Sequence, residues 1–207
     1  MMRIYFLRHG ESEGNRENRF RGRMDYPLTE RGIYQAENAG RYLKGGHFEK
    51  IYSSPLKRAV TTAERISHTL DSDFELCDAF NNIKLGEWEG KKKDYIEKHY
   101  PKQFNTWLTR PHKLRMENME SLPEIEKRVL EKIASLMRIH SGNIIIVTHR
   151  TVIKPAIAAL IGISEPSFWK IEVDTASISI IECSNGQWTL KNLNINHYLD
   201  DYPQDVQ

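Results

Sequence analysis

Four consecutive apolar, β-branched residues, Ile144-Ile145-Ile146-Val147, constrain this chain more than any other feature. Side chains alternate across a strand, so an unbroken apolar run marks a strand buried on both faces, the pattern of an interior parallel strand. Arg3–Leu7 is a second short apolar run that stops at charge and glycine, and Lys50–Ser53 and Phe74–Cys77 read as further strands. Between them lie helical patterns. Thr29 is placed to cap a helix to about Lys44 with Ile33, Ala36, Ala39 and Leu43 on one face, and Pro55 is placed to open another. Ser121-Leu122-Pro123-Glu124 is a capping box ahead of a helix to about His140, and a further helix runs from about Val152 to Ile161. The tail from Phe168 to Ile195 alternates like antiparallel strands, with Ser184-Asn185-Gly186-Gln187 as a hairpin turn.

Strand–helix alternation closed by a hairpin predicts an α/β fold: a three-layer α/β/α sandwich with a mostly parallel central sheet and a C-terminal antiparallel hairpin. The polar, aromatic stretch of about 78–119, with short helices near Tyr95 and Phe104, reads as a small helical lid insertion within a single domain spanning 1–207. With 39% hydrophobic and 28% charged residues, 207 residues suffice for one substantial core.

Composition removes several classes of function. A net charge of +2 without a clustered basic face argues against nucleic acid, and the Lys91-Lys92-Lys93 run reads as a solvated turn. No apolar run is long enough to span a membrane, and the N-terminus does not read as a secretory signal. Two cysteines, Cys77 and Cys183, give neither a disulfide framework nor a thiolate metal site, which points to a reducing cytoplasm. Eight histidines include no pair at metal-ligand spacing on one helix, so no metal and no cofactor are expected.

In open α/β sheets ligands bind beyond the carboxyl ends of the strands. His9 follows the first strand directly, and His149 follows Val147-Thr148. Four motifs occur in order: Leu7-Arg8-His9-Gly10, then Leu28-Thr29-Glu30-Arg31-Gly32, then Ser53-Ser54-Pro55-Leu56-Lys57-Arg58-Ala59-Val60-Thr61-Thr62-Ala63, and the late strand ending at His149. In these the chain closely resembles the histidine phosphatase, or phosphoglycerate-mutase-like, superfamily, from Arg3 to about Ile195. Gly86-Glu87-Trp88-Glu89-Gly90 and the compact length resemble cofactor-independent phosphoserine phosphatases and their broad-specificity relatives more than the mutases.

The resemblance implies a metal-independent phosphatase acting on a small phosphorylated metabolite. His9 would be the nucleophile, forming a phosphohistidine that water hydrolyses, with Arg8, Arg58 and His149 around the phosphoryl group and Asn15 adding an amide donor. Neutrality is required of His9, and neighbouring guanidiniums favour it. His112 would contact the non-phosphate end of the substrate from the lid. The family's general acid is a glutamate four residues before the glycine of Gly-x-Trp-Glu-Gly. Here that position is Asn82, which can hydrogen-bond a leaving oxygen but cannot protonate it. Turnover is therefore expected to be slow, and Glu87 and Glu89 are poor substitutes. Arg21 and Arg150 stand where relatives carry a glutamine and a small residue; turned inward, they would make the pocket more cationic. The competing reading from Asn82 is a weakened homologue that binds a phosphorylated ligand or partners an active relative. A phosphoglycerate mutase is disfavoured because it needs acid–base transfer in both directions. A homodimer, or a heterodimer with an active relative, could form if the alternating Phe168–Cys183 segment presents an edge strand or an apolar face.

Overall fold

A computed structural model of the chain describes residues 1–163 and 167–199. Six strands form one sheet: β1 (Met2–Arg8), β2 (Phe48–Ser53), β3 (Phe74–Leu76), β4 (Asn143–Thr148), β5 (Ile178–Ser184) and β6 (Gln187–Ile195), in the order β3-β2-β4-β1-β5-β6. The first four are mutually parallel, while β5 runs antiparallel to β1 and β6 antiparallel to β5. The helices are α1 (Glu13–Arg16), α2 (Glu30–Leu43), α3 (Lys57–Leu70), α4 (Lys93–His99), α5 (Pro101–Thr109), α6 (Leu122–Leu136) and α7 (Arg150–Leu160).

The isoleucine run explains the layering. Ile144 and Ile146 join one apolar cluster with Ile4 and Phe6 of β1, Ile125, Val129 and Ile133 of α6, and Val152, Ile153 and Ile157 of α7. Ile145 and Val147 join the opposite cluster with Leu7, Ile51 and the α2 and α3 residues Ala39, Leu43, Ala59, Ala63 and Ile66. All four residues of the run are fully buried, as a central strand covered on both faces requires. The sandwich and its mostly parallel sheet are as the sequence predicts.

Local signals account for most element ends. Thr29 caps α2 by accepting the Gly32 N–H at 3.0 Å, and the Ser121 N–H donates to Glu124 Oε2 at 2.7 Å at the start of α6. The hairpin turns at Asn185-Gly186, both at positive φ. Three expectations need correction. The helix expected to open at Pro55 begins at Lys57, because Ser54 still donates to Val147 in strand fashion at 2.9 Å and the Lys57 N–H is taken by Asp25 Oδ1 at 2.7 Å. The alternation after Phe168 is not strand until Ile178: Phe168, Ile171 and Val173 instead bury side chains of an irregular segment in the core. The sheet edges are consequently β3 and β6, with β5 interior beside β1, so no edge strand lies within Phe168–Cys183. Trp88, Ile96, Trp107 and Leu114, all within 78–119, belong to the main core.

The loop after β1 is held tightly. Gly10 donates its N–H to Thr62 Oγ1 at 3.1 Å, and Glu11 donates to Gln35 Oε1 at 2.8 Å. The same loop packs backbone to backbone on the first turn of α2, where a Cβ at Gly32 would stand 1.9 Å from the Glu11 carbonyl oxygen. Neither main chain can yield cheaply. Gly32→Ala should therefore cost about 1–3 kcal/mol, as overpacking does. It should lower the thermal midpoint and weaken anion binding at the end of β1 together, as read by calorimetry with and without orthophosphate. An unchanged midpoint would show that this loop is not pinned by α2.

Candidate active site

Parallel pairing of β1 and β4 brings the two histidines together. Leu7 is opposite Val147 and Arg8 opposite Thr148, and the chain exits with His9 N–H donating to the Thr148 carbonyl at 3.0 Å. The rings of His9 and His149 lie 5.1 Å apart, both 2% exposed. His149 is also the N-cap of α7, so the positive end of that helix faces the same place.

Hydrogen bonding sets the tautomers. His9 Nδ1 lies 2.6 Å from the Gly10 carbonyl oxygen, which can only accept, so Nδ1 carries the proton and Nε2 keeps its lone pair. His149 Nε2 lies 2.8 Å from Ser54 Oγ, which itself accepts the Leu56 N–H at 3.4 Å. A Ser54 hydroxyl donating to Nε2 leaves the proton of His149 on Nδ1, and that atom is buried without a partner. Two guanidinium nitrogens share this condition, Arg8 Nε and Arg58 Nε. Their other nitrogens are anchored: Arg8 Nη1 on the Val173 carbonyl, Arg58 Nη1 and Nη2 on those of Met24 and Gly22, each at 2.8 Å. Buried donors are nearly always satisfied. Arg8 Nε, Arg58 Nε and His149 Nδ1 are therefore three buried donors free to bond a ligand.

The electrostatics agree. Burial, then the charges of Arg58, Arg8 and Arg21, hold His9 well below the ordinary histidine range, and burial and Arg58 do the same to His149. Burial with Arg150 and Arg58 brings Arg21 down to about 9, and burial brings Arg58 to about 10, so both remain cationic at neutral pH. The arrangement can therefore offer a neutral nitrogen nucleophile inside a ring of permanent cations. Among the described residues no group of three or more His, Cys, Asp or Glu side chains is placed to hold a metal ion.

Of the residues singled out in the sequence, Arg8, His9, Arg21, Asn82, His149 and Arg150 line one cavity, and Arg58, fully buried, donates to the carbonyl of Gly22 in its lining. Both arginines of undetermined direction thus turn inward. Asn15 and His112 are not among the lining residues: Asn15 Oδ1 accepts from Ser12 N–H and Oγ–H, and His112 sits in a short 3-10 turn, Pro111–Lys113. The Asn82 amide is engaged at both ends. Its Nδ2 donates to the Gly22 carbonyl at 2.8 Å and its Oδ1 accepts from the Thr151 hydroxyl. Its backbone carbonyl accepts from Arg23 Nε at 3.0 Å. Glu89 Oε1 accepts the N–H groups of Arg23 and Leu85, Glu87 Oε2 accepts from the Tyr100 hydroxyl, and neither lines the cavity.

Sequence reasoning missed Lys93, which lines the cavity instead of a solvated turn. It is carried there by backbone bonds from Phe20 to Lys91 at 2.9 Å and from Lys93 to Asn18 at 3.2 Å, which no local pattern announces. Ser54 was also missed as a partner of His149, although its place directly after β2 offered a signal.

The family model for the histidine phosphatase superfamily (branch 1) matches residues 4–196, and the chain belongs to that superfamily. It is a phosphohydrolase enzyme. It is 31% identical to phosphoserine phosphatase 1 of Hydrogenobacter thermophilus, covering 98% of this chain and 96% of that protein. It is 30% identical to the adenosylcobalamin/alpha-ribazole phosphatase of Escherichia coli, over 93% of this chain and 96% of that one. The solved structure of YhfR from Bacillus stearothermophilus superposes with a TM-score of 0.93 at 29% identity, covering 97% of this chain and all of that one.

The depressed histidines make stability depend on pH. The fold keeps each imidazole neutral while the unfolded chain protonates near 6.5, so the unfolded state binds more protons and stability is lost as pH falls below that value. Each histidine contributes a slope of up to about 1.4 kcal/mol per pH unit. In thermal melts between pH 7.5 and 5, the midpoint of the wild type should fall relative to that of His149→Asn as the pH is lowered. A constant gap would mean that His149 titrates normally in the fold.

Proposed function

We propose that the chain hydrolyses a small phosphomonoester without a metal, through a phosphohistidine on His9, and that it does so slowly when the leaving group is an alcohol. The observation that carries this reading is the pairing of a lone-pair-bearing His9 Nε2 with three buried, unpartnered donors. Nε2 attacks phosphorus and the P–O bond to the leaving oxygen breaks, while Arg8, Arg58 and His149 take the charge spread over the equatorial oxygens. Water then attacks the phosphohistidine, releasing orthophosphate and returning the imidazole to its neutral form.

Asn82 supports the second half of the proposal. One N–H of its amide is held by the Gly22 carbonyl. The other can donate to a leaving oxygen but carries no proton that it can release. Positioned acid catalysis is worth about a hundred- to ten-thousand-fold. An aryl leaving group hardly needs it, and an alkoxide does. Phosphoserine, the substrate class named for one relative, is among the alkyl esters so affected. The same observation favours a second reading: a weakened phosphatase that binds a phosphorylated ligand, or acts as partner subunit to an active relative.

Initial rates on an aryl phosphate and on a matched alkyl phosphate, measured with chelator present, test the proposal. Aryl hydrolysis should be plain, alkyl hydrolysis at least about a hundredfold slower, and both abolished by His9→Ala. Asn82→Glu should raise the alkyl rate selectively, since a carboxyl carries a proton it can release to the leaving oxygen and an amide does not. Equal wild-type rates on the two esters would mean that another group supplies the proton.

A further inference from the structure

The cavity holds more positive charge than one phosphate can balance. A phosphomonoester dianion is matched by Arg8 and Arg58. Arg21, Lys93 and Arg150 line the same cavity, and no carboxylate lines it with them. Among the described residues none of the three makes an ion pair. Arg21 Nη1 reaches only the backbone carbonyls of Gly14 at 3.1 Å and Arg19 at 3.3 Å. The Arg150 guanidinium lies over the Trp169 ring at 5.7 Å, and Trp169 is itself fixed by an N–H bond to the Trp107 carbonyl at 2.7 Å. Arg150 is the largest charge opposing both Arg21 and Lys93, which places the three in one electrostatic group. The nearby carboxylates act elsewhere: Asp25 and Glu89 on Arg58, Asp174 on Arg8 and Lys154, Glu172 on Lys154, and only Asp94 on Lys93. Arg19, also at the cavity, is paired with Glu17.

Burying cations without counter-charge is costly, and each raises the cost of the others. A bound anion removes that cost. We propose that Arg21, Lys93 and Arg150 form a second anion subsite beside His9, and that the ligand it selects is a short phosphomonoester bearing a second phosphate group. A phosphate dianion has three terminal oxygens for two guanidinium forks and an ammonium, whereas a carboxylate brings one charge and two oxygens. An ammonium beside the anionic group, as in phosphoserine, is repelled by all three cations. The linker is short because both subsites line one cavity.

The subsite rests on the phosphatase reading only for which end of the ligand is cleaved, so binding is measured apart from turnover. His9→Ala protein is titrated calorimetrically with propane-1,3-diol monophosphate, its bisphosphate, and the matching phosphorylated carboxylate, 3-phosphooxypropanoate. The bisphosphate should bind at least about tenfold more tightly than the monophosphate, as charge-assisted hydrogen bonds to one added anion imply, with the carboxylate between them. Adding Arg150→Gln, or separately Lys93→Gln, should shrink that ratio, and raised salt should shrink it further. Monophosphate and bisphosphate binding within threefold of each other, or a ratio that survives both substitutions, would overturn the subsite. If the bisphosphate preference holds while the wild type hydrolyses none of the three, the subsite stands and the phosphatase reading fails. If the monophosphate is cleaved as readily as the bisphosphate and binds as tightly, the subsite alone fails.

Discussion

The pairing of β1 with β4 is the contact on which the rest of the site depends. Two parallel strands adjacent in the sheet and distant in sequence end at the same level, with Arg8 opposite Thr148. One backbone bond, from His9 to the Thr148 carbonyl, then sets the separation of the two imidazoles. The register is itself enforced by burial: slipping β4 by one residue would exchange the isoleucines facing α6 and α7 with those facing α2 and α3. The apolar core thus places the polar site. Its hydrogen bonds only refine what the strand pairing has already set.

What the sheet brings together would be unfavourable without a ligand. Arg8, Arg19, Arg21, Lys93 and Arg150 line one cavity with two imidazoles and no carboxylate, and Arg58 is buried beside them. The protein tolerates this because carbonyl oxygens of Val173, Met24, Gly22, Gly14 and Arg19 accept from the guanidiniums without cancelling their charge. That choice of partner preserves the field that an anion meets. With burial, the same charges hold His9 well below the ordinary histidine range, so a field that favours an anion also keeps this imidazole neutral. Asn82 fits this scheme as a neutral tie between the Gly22 carbonyl and Thr151, where an ionised carboxylate would weaken the field.

Much of this was legible in the sequence because it is local. The strand run at 144–147, the Thr29 cap, the Ser121–Glu124 capping box and the Asn185-Gly186 turn each reflect residues within a few positions of one another. Arg8, His9 and His149 were readable from strand ends. The features that were not readable depend on contacts between remote segments. Lys93 reaches the cavity through backbone pairing of residues 18–20 with 91–93. The alternating pattern after Phe168 matched a strand, yet there an irregular segment buries Phe168, Ile171 and Val173 in the core, with Phe168 against Trp107. Whether Arg21 and Arg150 face inward is likewise decided by how the loops close over the sheet. The resemblance to a phosphatase family pointed to Arg8, His9, Arg58 and His149, and the structure adds Lys93 to the cations lining the cavity.

The central claim is that His9 is a neutral nucleophile held inside a cradle built for an anion. The most direct measurement is a rapid quench of the wild type with an aryl phosphate, followed by intact-mass and peptide mass spectrometry under conditions that preserve phosphohistidine. The account predicts a single added phosphoryl group on His9, formed before orthophosphate release and absent from His9→Ala. Release of orthophosphate with no phosphoenzyme, or a phosphoryl group on any other residue, would contradict it.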